Sequence, residues 1–176
     1  MNRNKIFIIL LLFYTLPLAA IIKTGVEAPY FQVADGNNRT LYSTDLQGRV
    51  IIGFYESRDT SDKNNALKDE LNSFRSGSKG TVKQETFRLA VIDASSANIA
   101  TSWAWRKNMK KKSAELEIHI YGDWDGRMKR DFSFPENESV FIIIDRKNVV
   151  RYIYAGKVPK SEFVNIKTLI KKIYSE

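Results

Sequence analysis

The sequence predicts an α/β sandwich in which helices cover both faces of a central mixed sheet. Apolar, strand-like segments alternate with amphipathic segments along the chain, as they do in α/β domains. The most apolar strand, 139–145, is followed by a turn and a second strand at 149–155, which predicts an antiparallel hairpin. A terminal helix starts near Pro159, and its apolar stripe consists of Phe163, Ile166, Ile170 and Ile173.

The amino-terminal half of the chain predicts a hairpin, a buried strand and a helix. Residues 29–33 and 39–42 flank the turn 35–38 and predict two short strands. Residues 49–55 are apolar nearly throughout, as buried parallel strands are. The candidate caps of the following helix are Asp59, Thr60 and Ser61, and its expected buried stripe is Leu67, Leu71 and Phe74.

The middle of the chain predicts a strand, a helix, a second strand and a short helix. Their expected bounds are 85–93, 95–112, 116–121 and 127–132. Ser95 and Ser96 are candidate caps of the longer helix, on which Ile99 and Trp103 lie one turn apart. The strand at 116–121 contains His119.

Residues 1–20 are typical of a secretory signal peptide. Arg3 and Lys5 precede an apolar run that continues to Leu18 and is short for a membrane span. The two alanines at 19 and 20 suggest cleavage after Ala20, and the alternative interpretation is an uncleaved anchor. No cysteine follows the run, which excludes a bacterial lipoprotein. We therefore expect a periplasmic or secreted protein of a bacterial envelope.

Composition excludes several function classes for the single domain expected over residues 21–176. The chain contains no cysteine and one histidine, His119. Disulfides, thiolate nucleophiles, cysteine-based zinc sites and multi-histidine metal sites are therefore excluded. We expect neither a cofactor nor a metal. The net charge is +8 for the full chain and +6 without Arg3 and Lys5, which predicts a moderately basic domain.

Three segments resemble the thioredoxin-like superfamily, in particular its peroxiredoxin and TlpA-like members. Residues 48–57 resemble the strand that leads to the active-site loop of those proteins. Residues 27–33 resemble their opening G-x-x-A-P-x-F-x-L segment, and 142–150 resemble their final hairpin. The resemblance implies a thioredoxin-like three-layer sandwich with an amino-terminal β-hairpin.

The chain departs from this family at the redox site. The family's W-C-x-x-C pattern places its two cysteines at Asp59 and Asp62 of this sequence. Where the family has a cis-proline, this sequence reads Glu138-Ser139. A thiol-disulfide or peroxidase reaction requires a thiolate, so neither is expected. The loop Arg58–Ser61 and Ser139 make the chain similar to the YtfJ-like periplasmic family, a resemblance that implies location and fold but no particular chemistry.

These features predict a redox-inactive, exported binding or scaffolding protein without catalytic residues. Its expected partner is an envelope protein or peptide. The candidate binding surface consists of Ser57, Arg58, Asp59, Thr60, Ser61, Asp62 and Ser139. The alternative is a non-thiol envelope enzyme that uses Asp59 and Asp62, or His119, as acid and base.

Two further motifs favour structural interpretations. The turn 123–126 is similar to the start of a calcium loop but lacks its third acidic position and its terminal glutamate. A basic run could contact anionic surfaces weakly or form a solvated helix end, and export argues against nucleic acid as its ligand. The run consists of Arg106, Lys107, Lys110, Lys111 and Lys112. The sequence does not predict an oligomeric state.

Overall fold

A computed structural model describes residues 21–77 and 86–176 of the protein, so the predicted signal peptide lies outside the described residues. The described chain contains one mixed sheet whose strands are β1 (Gln32–Asp35), β2 (Thr40–Tyr42), β3 (Val50–Glu56), β4 (Thr86–Asp93), β5 (Ile120–Asp123), β6 (Val140–Ile144) and β7 (Val150–Ala155). The helices are α1 (Asn65–Gly77), α2 (Ser102–Leu116), α3 (Arg127–Asp131) and α4 (Phe163–Ser175). The predicted fold class and the amino-terminal hairpin are confirmed.

The strands lie in the order β2-β1-β5-β4-β3-β6-β7. The central strands β3, β4 and β5 are parallel, whereas β6 and β7 pair antiparallel beyond β3. The connections from β3 to β4 and from β4 to β5 both lead in the same direction across the sheet. Because such crossovers are right-handed, α1 and α2 lie on the same face.

Two apolar cores lie on the two faces of the sheet. One combines α1 and α4 with the sheet through residues such as Leu67, Leu71, Ile166 and Ile170. The other packs Met128, Phe132 and Phe134 against the opposite face. This layered arrangement leaves the carboxyl ends of β3, β4 and β5 at one edge, where β6 begins.

The first helix begins later than predicted. Residues Arg58–Thr60 form a 3-10 turn, and α1 starts only at Asn65. Ser57 precedes that turn, and its backbone N–H donates to Thr60 Oγ1 at 2.8 Å. The hydroxyl of Thr60 therefore bonds within the turn rather than capping α1, and the predicted caps at 59–61 are wrong.

The second helix is also displaced along the sequence. It covers Ser102–Leu116, so the predicted start at Ser95 or Ser96 is wrong. Ile99 is 97% exposed and Trp103 66% exposed, and they form no buried stripe. The helix-forming residues after Lys110 continue it until Glu117, which adopts a left-handed conformation with φ 50°. His119 consequently lies in an exposed loop before β5 and not within a strand.

Within the two described ranges, no helix has both the length and the apolar character needed to cross a bilayer.

Candidate functional site

The candidate site lies at the carboxyl edge of the parallel strands. β3 ends at Glu56, and residues 57–64 then pass along this edge before α1 begins. Tyr55 pairs with Val140 across the antiparallel β3–β6 ladder, which brings Ser139 next to the end of β3. The register thus places the loop directly above Glu56 and Ser139.

A buried polar cluster lies beneath the loop. Glu56 is 5% exposed and Ser139 is fully buried. The Ser139 hydroxyl donates to Glu56 Oε1 at 2.9 Å, and Lys68 Nζ lies 2.8 Å from Glu56 Oε2. Both carboxylate oxygens of Glu56 therefore have a partner inside the protein.

Asn64 connects this cluster to the rest of the fold. Its Nδ2 donates to Ser139 Oγ at 2.8 Å and to the Gly156 carbonyl at 2.9 Å. Its Oδ1 accepts the backbone N–H of Val158 at 2.9 Å. One amide side chain thus joins the start of α1, the start of β6 and the segment after β7. A fully bonded buried network of this kind fixes a single geometry.

Burial raises the pKa of the Glu56 carboxyl, while Lys68 and the Ser139 hydroxyl act in the opposite direction. The Lys68 ammonium also donates to the Ser61 carbonyl at 2.6 Å. The same cation therefore compensates the buried carboxylate and holds the loop above it.

The outer half of the loop is charged and open to solvent. Arg58, Asp59 and Asp62 are exposed. The Arg58 guanidinium stacks over the Trp105 ring of α2 at 4.9 Å from its centroid, and Asp62 Oδ1 accepts from Asn65 Nδ2 at 3.2 Å. These charges lie on a loop whose inner side is fixed by the buried cluster.

The structure separates the predicted site residues into two groups. Thr60 and Ser139 are buried, and Ser57 and Ser61 are half-buried. The hydroxyl of Ser139 bonds to Glu56 in the interior, whereas those of Ser57, Thr60 and Ser61 bond within the loop. The exposed members are Arg58, Asp59 and Asp62. His119 precedes β5 and therefore lies at the opposite edge of the parallel strands, which means that it does not share a site with Asp59 and Asp62.

The acidic turn at 123–126 is the start of α3. Asp123 is fully buried and accepts the Tyr55 hydroxyl at 3.0 Å and the backbone N–H groups of Met128 and Lys129 at 3.3 and 2.9 Å. Burial raises the pKa of both Asp123 and Tyr55. Among the described residues, no group of three or more histidine or acidic side chains is arranged to hold a metal ion.

The basic run on α2 is divided among several contacts. Arg106 stacks over the Trp124 ring at 4.0 Å, and Lys112 lies 2.9 Å from Glu115. Lys107, Lys110 and Lys111 are exposed. A weak contact of this run with anionic surfaces stays a prediction.

Sequence reasoning missed Glu56, Asn64 and Lys68. A signal for the first was present, since Glu56 is an acid that directly extends a buried apolar strand. Asn64 and Lys68 carried no such signal, because their partners are distant in the sequence.

Several solved structures have a fold similar to that of this chain. A protein from Chlorobium tepidum described as a thiol:disulfide interchange protein DsbE has a TM-score of 0.64 at 15% identity, over 86% of this chain and 98% of that one. The chain has a thioredoxin-like fold. The thiol peroxidase of Chromobacterium violaceum is similar at a TM-score of 0.60 and 13% identity, over 87% of this chain and 88% of that one.

A third similar structure is the exposed lipoprotein thioredoxin of Streptococcus pneumoniae. Its TM-score is 0.52 at 12% identity, over 80% of this chain and 98% of that one. The sequence matches no protein-family model and no curated protein. At these identities the similarity concerns the fold alone, and this sequence contains no cysteine.

Proposed function

We propose that the protein is a redox-inactive, exported thioredoxin-like domain that binds a peptide or protein of the bacterial envelope, as a relative of the YtfJ-like family. The thioredoxin-like site reads Asp59 and Asp62 where the family's cysteines would stand. Without a thiolate, neither disulfide exchange nor peroxide reduction can proceed through this loop.

The observation that carries the proposal is the buried cluster of Glu56, Asn64, Lys68 and Ser139. Its polar groups bond to one another and to the backbone, so they support the loop from below. A loop held in one conformation loses little conformational entropy when a partner binds. The exposed charges of Arg58, Asp59 and Asp62 supply specificity through complementary charges on the partner.

An extracytoplasmic location is supported by the basic and apolar composition of residues 1–20. The exposed lipoprotein thioredoxin of Streptococcus pneumoniae has a similar fold. Cell fractionation of the native host tests this part of the proposal. Accumulation of the intact chain in the cytoplasm would contradict it.

The binding proposal is tested by crosslinking in envelope extract. The wild type is compared with a loop variant carrying Arg58→Glu, Asp59→Ala and Asp62→Ala, and with Arg130→Glu, an exposed change away from the loop. A specific partner is captured by the wild type and by the Arg130 variant but not by the loop variant. Equal capture by all three proteins, or by none, contradicts the proposal.

The alternative of a non-thiol enzyme is separated by turnover measurements. Insulin reduction and peroxide consumption are expected to be absent under both interpretations. A panel of envelope ester, phosphate and glycoside substrates is then screened with the wild type and with the single variants Asp59→Ala and Asp62→Ala. Turnover that these variants lose while their unfolding free energy is unchanged would establish the enzyme and overturn the binding role.

A further inference from the structure

A groove of about 730 Å³ lies between α1 and α2 on the same face of the sheet. Its floor includes Phe54, Ala90 and Ile92, which are only half-buried although β3 and β4 are central strands. On the opposite face, Leu89 and Val91 of the same strand are 2% and 1% exposed. The two helices therefore leave the middle of the sheet partly uncovered on one face.

Most of the surface that the groove exposes is apolar. Leu71 of α1 faces Met109 and Leu116 of α2 across the floor. Leu116 is 60% exposed, and Met109 is the buried residue of its helix. A volume of this size lies in the range of small-molecule sites, which are typically lined by apolar side chains with a few polar groups.

Two arginines, Arg75 and Arg88, lie at one end of the groove. Arg88 donates to the Asn72 side-chain oxygen at 3.3 Å and to the Glu117 carbonyl at 3.1 Å, both of which are neutral acceptors. The Nε of Arg75 is buried without a hydrogen-bond partner. In the described part of the chain, neither guanidinium forms an ion pair.

The two arginines also repel each other. Burial and the like charge of Arg75 lower the pKa of Arg88, while the charge of Glu117 acts in the opposite direction. An anion between them would remove this repulsion and supply the missing acceptor for Arg75, and guanidinium groups bind carboxylates through paired hydrogen bonds. The acidic residues of the lining, Glu56, Asp62 and Asp69, belong to the other end, where α1 begins.

We propose that the groove binds a single-chain anionic amphiphile such as a free fatty acid, with its carboxylate between Arg75 and Arg88 and its acyl chain along β4. From Arg88 to Ile92 the strand advances about 13 Å, which suits a medium-length acyl chain. Trp105 lines the far end, near the stacked Arg58. This ligand does not depend on the partner proposed for the loop.

The chemistry of the groove argues against other occupants. A neutral apolar segment would leave the two guanidinium groups uncompensated, and a cationic amphiphile would be repelled by them. A flat bilayer surface does not reach a floor that has a helix on each side. A free amphiphile satisfies both the apolar floor and the paired cations.

The test is calorimetric titration of the full chain with laurate. We expect one binding site, and Arg75→Gln or Arg88→Gln should weaken binding by at least about tenfold, since a charged hydrogen bond is lost. Lys107→Gln, an exposed lysine of α2 outside the groove, is the matched control and should bind as the wild type does. Unchanged affinity in both arginine variants would overturn the proposal.

A second pair of variants tests the groove itself. Ala90→Phe fills the floor and should abolish binding. Leu116→Glu, at an exposed position next to the Glu117 carbonyl that Arg88 contacts, supplies a competing carboxylate and should weaken binding even if Ala90→Phe does not fold. Laurate binding that Leu116→Glu leaves intact would contradict the assigned position of the carboxylate.

Two further ligands test whether the groove requires an anionic head group, and whether that anion comes from a free fatty acid or from a membrane lipid. Dodecyltrimethylammonium should not bind, and equal affinity for it would overturn the role of the arginines. Binding to phosphatidylglycerol vesicles without binding of free laurate would show a membrane contact instead of a fatty-acid site. Asp59→Ala should retain laurate binding, so that a failure of the loop proposal and a failure of this one give different results.

Discussion

Two buried acidic clusters lie at the same edge of the sheet, and they stabilise their carboxylates in different ways. Tyr55 and Glu56 are consecutive residues of β3 and point to opposite faces. Glu56 is paired with the ammonium of Lys68, whereas Asp123 accepts a phenol hydroxyl and two backbone N–H groups. The first cluster uses a full opposite charge and the second uses only dipoles.

The difference follows from what each cluster connects. Asp123 joins the end of β5 to the first turn of α3 and, through the Tyr55 hydroxyl, to β3. Glu56 and its partners join β3, α1 and β6, which meet beneath the loop 57–64. A buried ion pair is sensitive to the loss of one member, because the remaining charge has no compensation.

The largest effect on stability is expected when the Lys68 cation is removed from the first cluster. Lys68→Met leaves Glu56 buried without its ion pair and should lower the unfolding free energy by about 2–4 kcal/mol, measured by urea denaturation. Lys63→Met is the matched control, because its ion pair with Glu138 has the same 2.8 Å length but is more exposed. Lys63→Met should lower the unfolding free energy by no more than about 1 kcal/mol. Equal losses in the two variants would show that burial of the pair is unimportant.

The second cluster should respond less strongly to a change of its acid. Asp123→Asn retains the side-chain shape but replaces one acceptor oxygen with a donor that faces a backbone N–H or the Tyr55 hydroxyl. We expect a loss of about 1–3 kcal/mol in thermal or urea denaturation. Asp125→Asn in the same turn is exposed and should change stability by less than about 0.5 kcal/mol. An unchanged unfolding free energy in Asp123→Asn would mean that the Asp123 carboxyl is protonated in the native protein.

The pH dependence of the unfolding free energy should distinguish the wild type from Glu56→Gln, in which the buried acid of the first cluster is neutral. A carboxyl whose pKa is raised by folding contributes stability that is complete below its unfolded pKa and is lost as the pH rises through the raised value. The pKa of Glu56 is raised by burial. Glu56→Gln removes this loss, so the stability of the variant relative to the wild type should increase as the pH rises above the ordinary pKa of a glutamate. Urea denaturation as a function of pH measures the trend, and the opposite sign would mean that Lys68 outweighs burial.

The smallest effect on stability is expected from substitutions on the exposed loop above the first cluster. Asp59→Ala and Asp62→Ala should each change the unfolding free energy by less than about 0.5 kcal/mol, because both side chains are exposed. Chemical denaturation of the two variants checks this. A loss similar to that of Lys68→Met would place these carboxylates in the structural network and not in a binding surface.

Local patterns predicted most of the fold. The strands of residues 49–55 and 139–145 and the final helix lie within a few residues of their observed bounds, because long apolar runs and clear helical periodicity report burial directly. The errors occurred at the starts of α1 and α2 and at the end of α2, which continues into the segment predicted as the start of β5. Ser95 and Ser96 are acceptable caps, but the helix is instead preceded by a turn in which Thr101 N bonds to Asn98 Oδ1 at 3.0 Å.

The candidate site was predicted only in part. The loop 57–62 follows from its position after a buried strand, and its exposed charges lie where expected. Ser139 was placed near the loop by resemblance, but its full burial and its bond to Glu56 were not predictable from spacing. The groove with Arg75 and Arg88 left no local signal, since its walls come from two separate helices and its floor from the sheet.

The sequence by itself determined the absence of cysteine, the alternation of strands and helices and the position of the loop, because these depend on residue identity and on short-range periodicity. Tertiary structure alone decided which polar groups became buried partners and which face of the sheet stayed partly uncovered. Those outcomes depend on contacts among residues 56, 64, 68 and 139, and on the charge interaction between 75 and 88, which no local pattern encodes. Side chains far apart in the chain compensate one another's charge only after the sheet has set their distances.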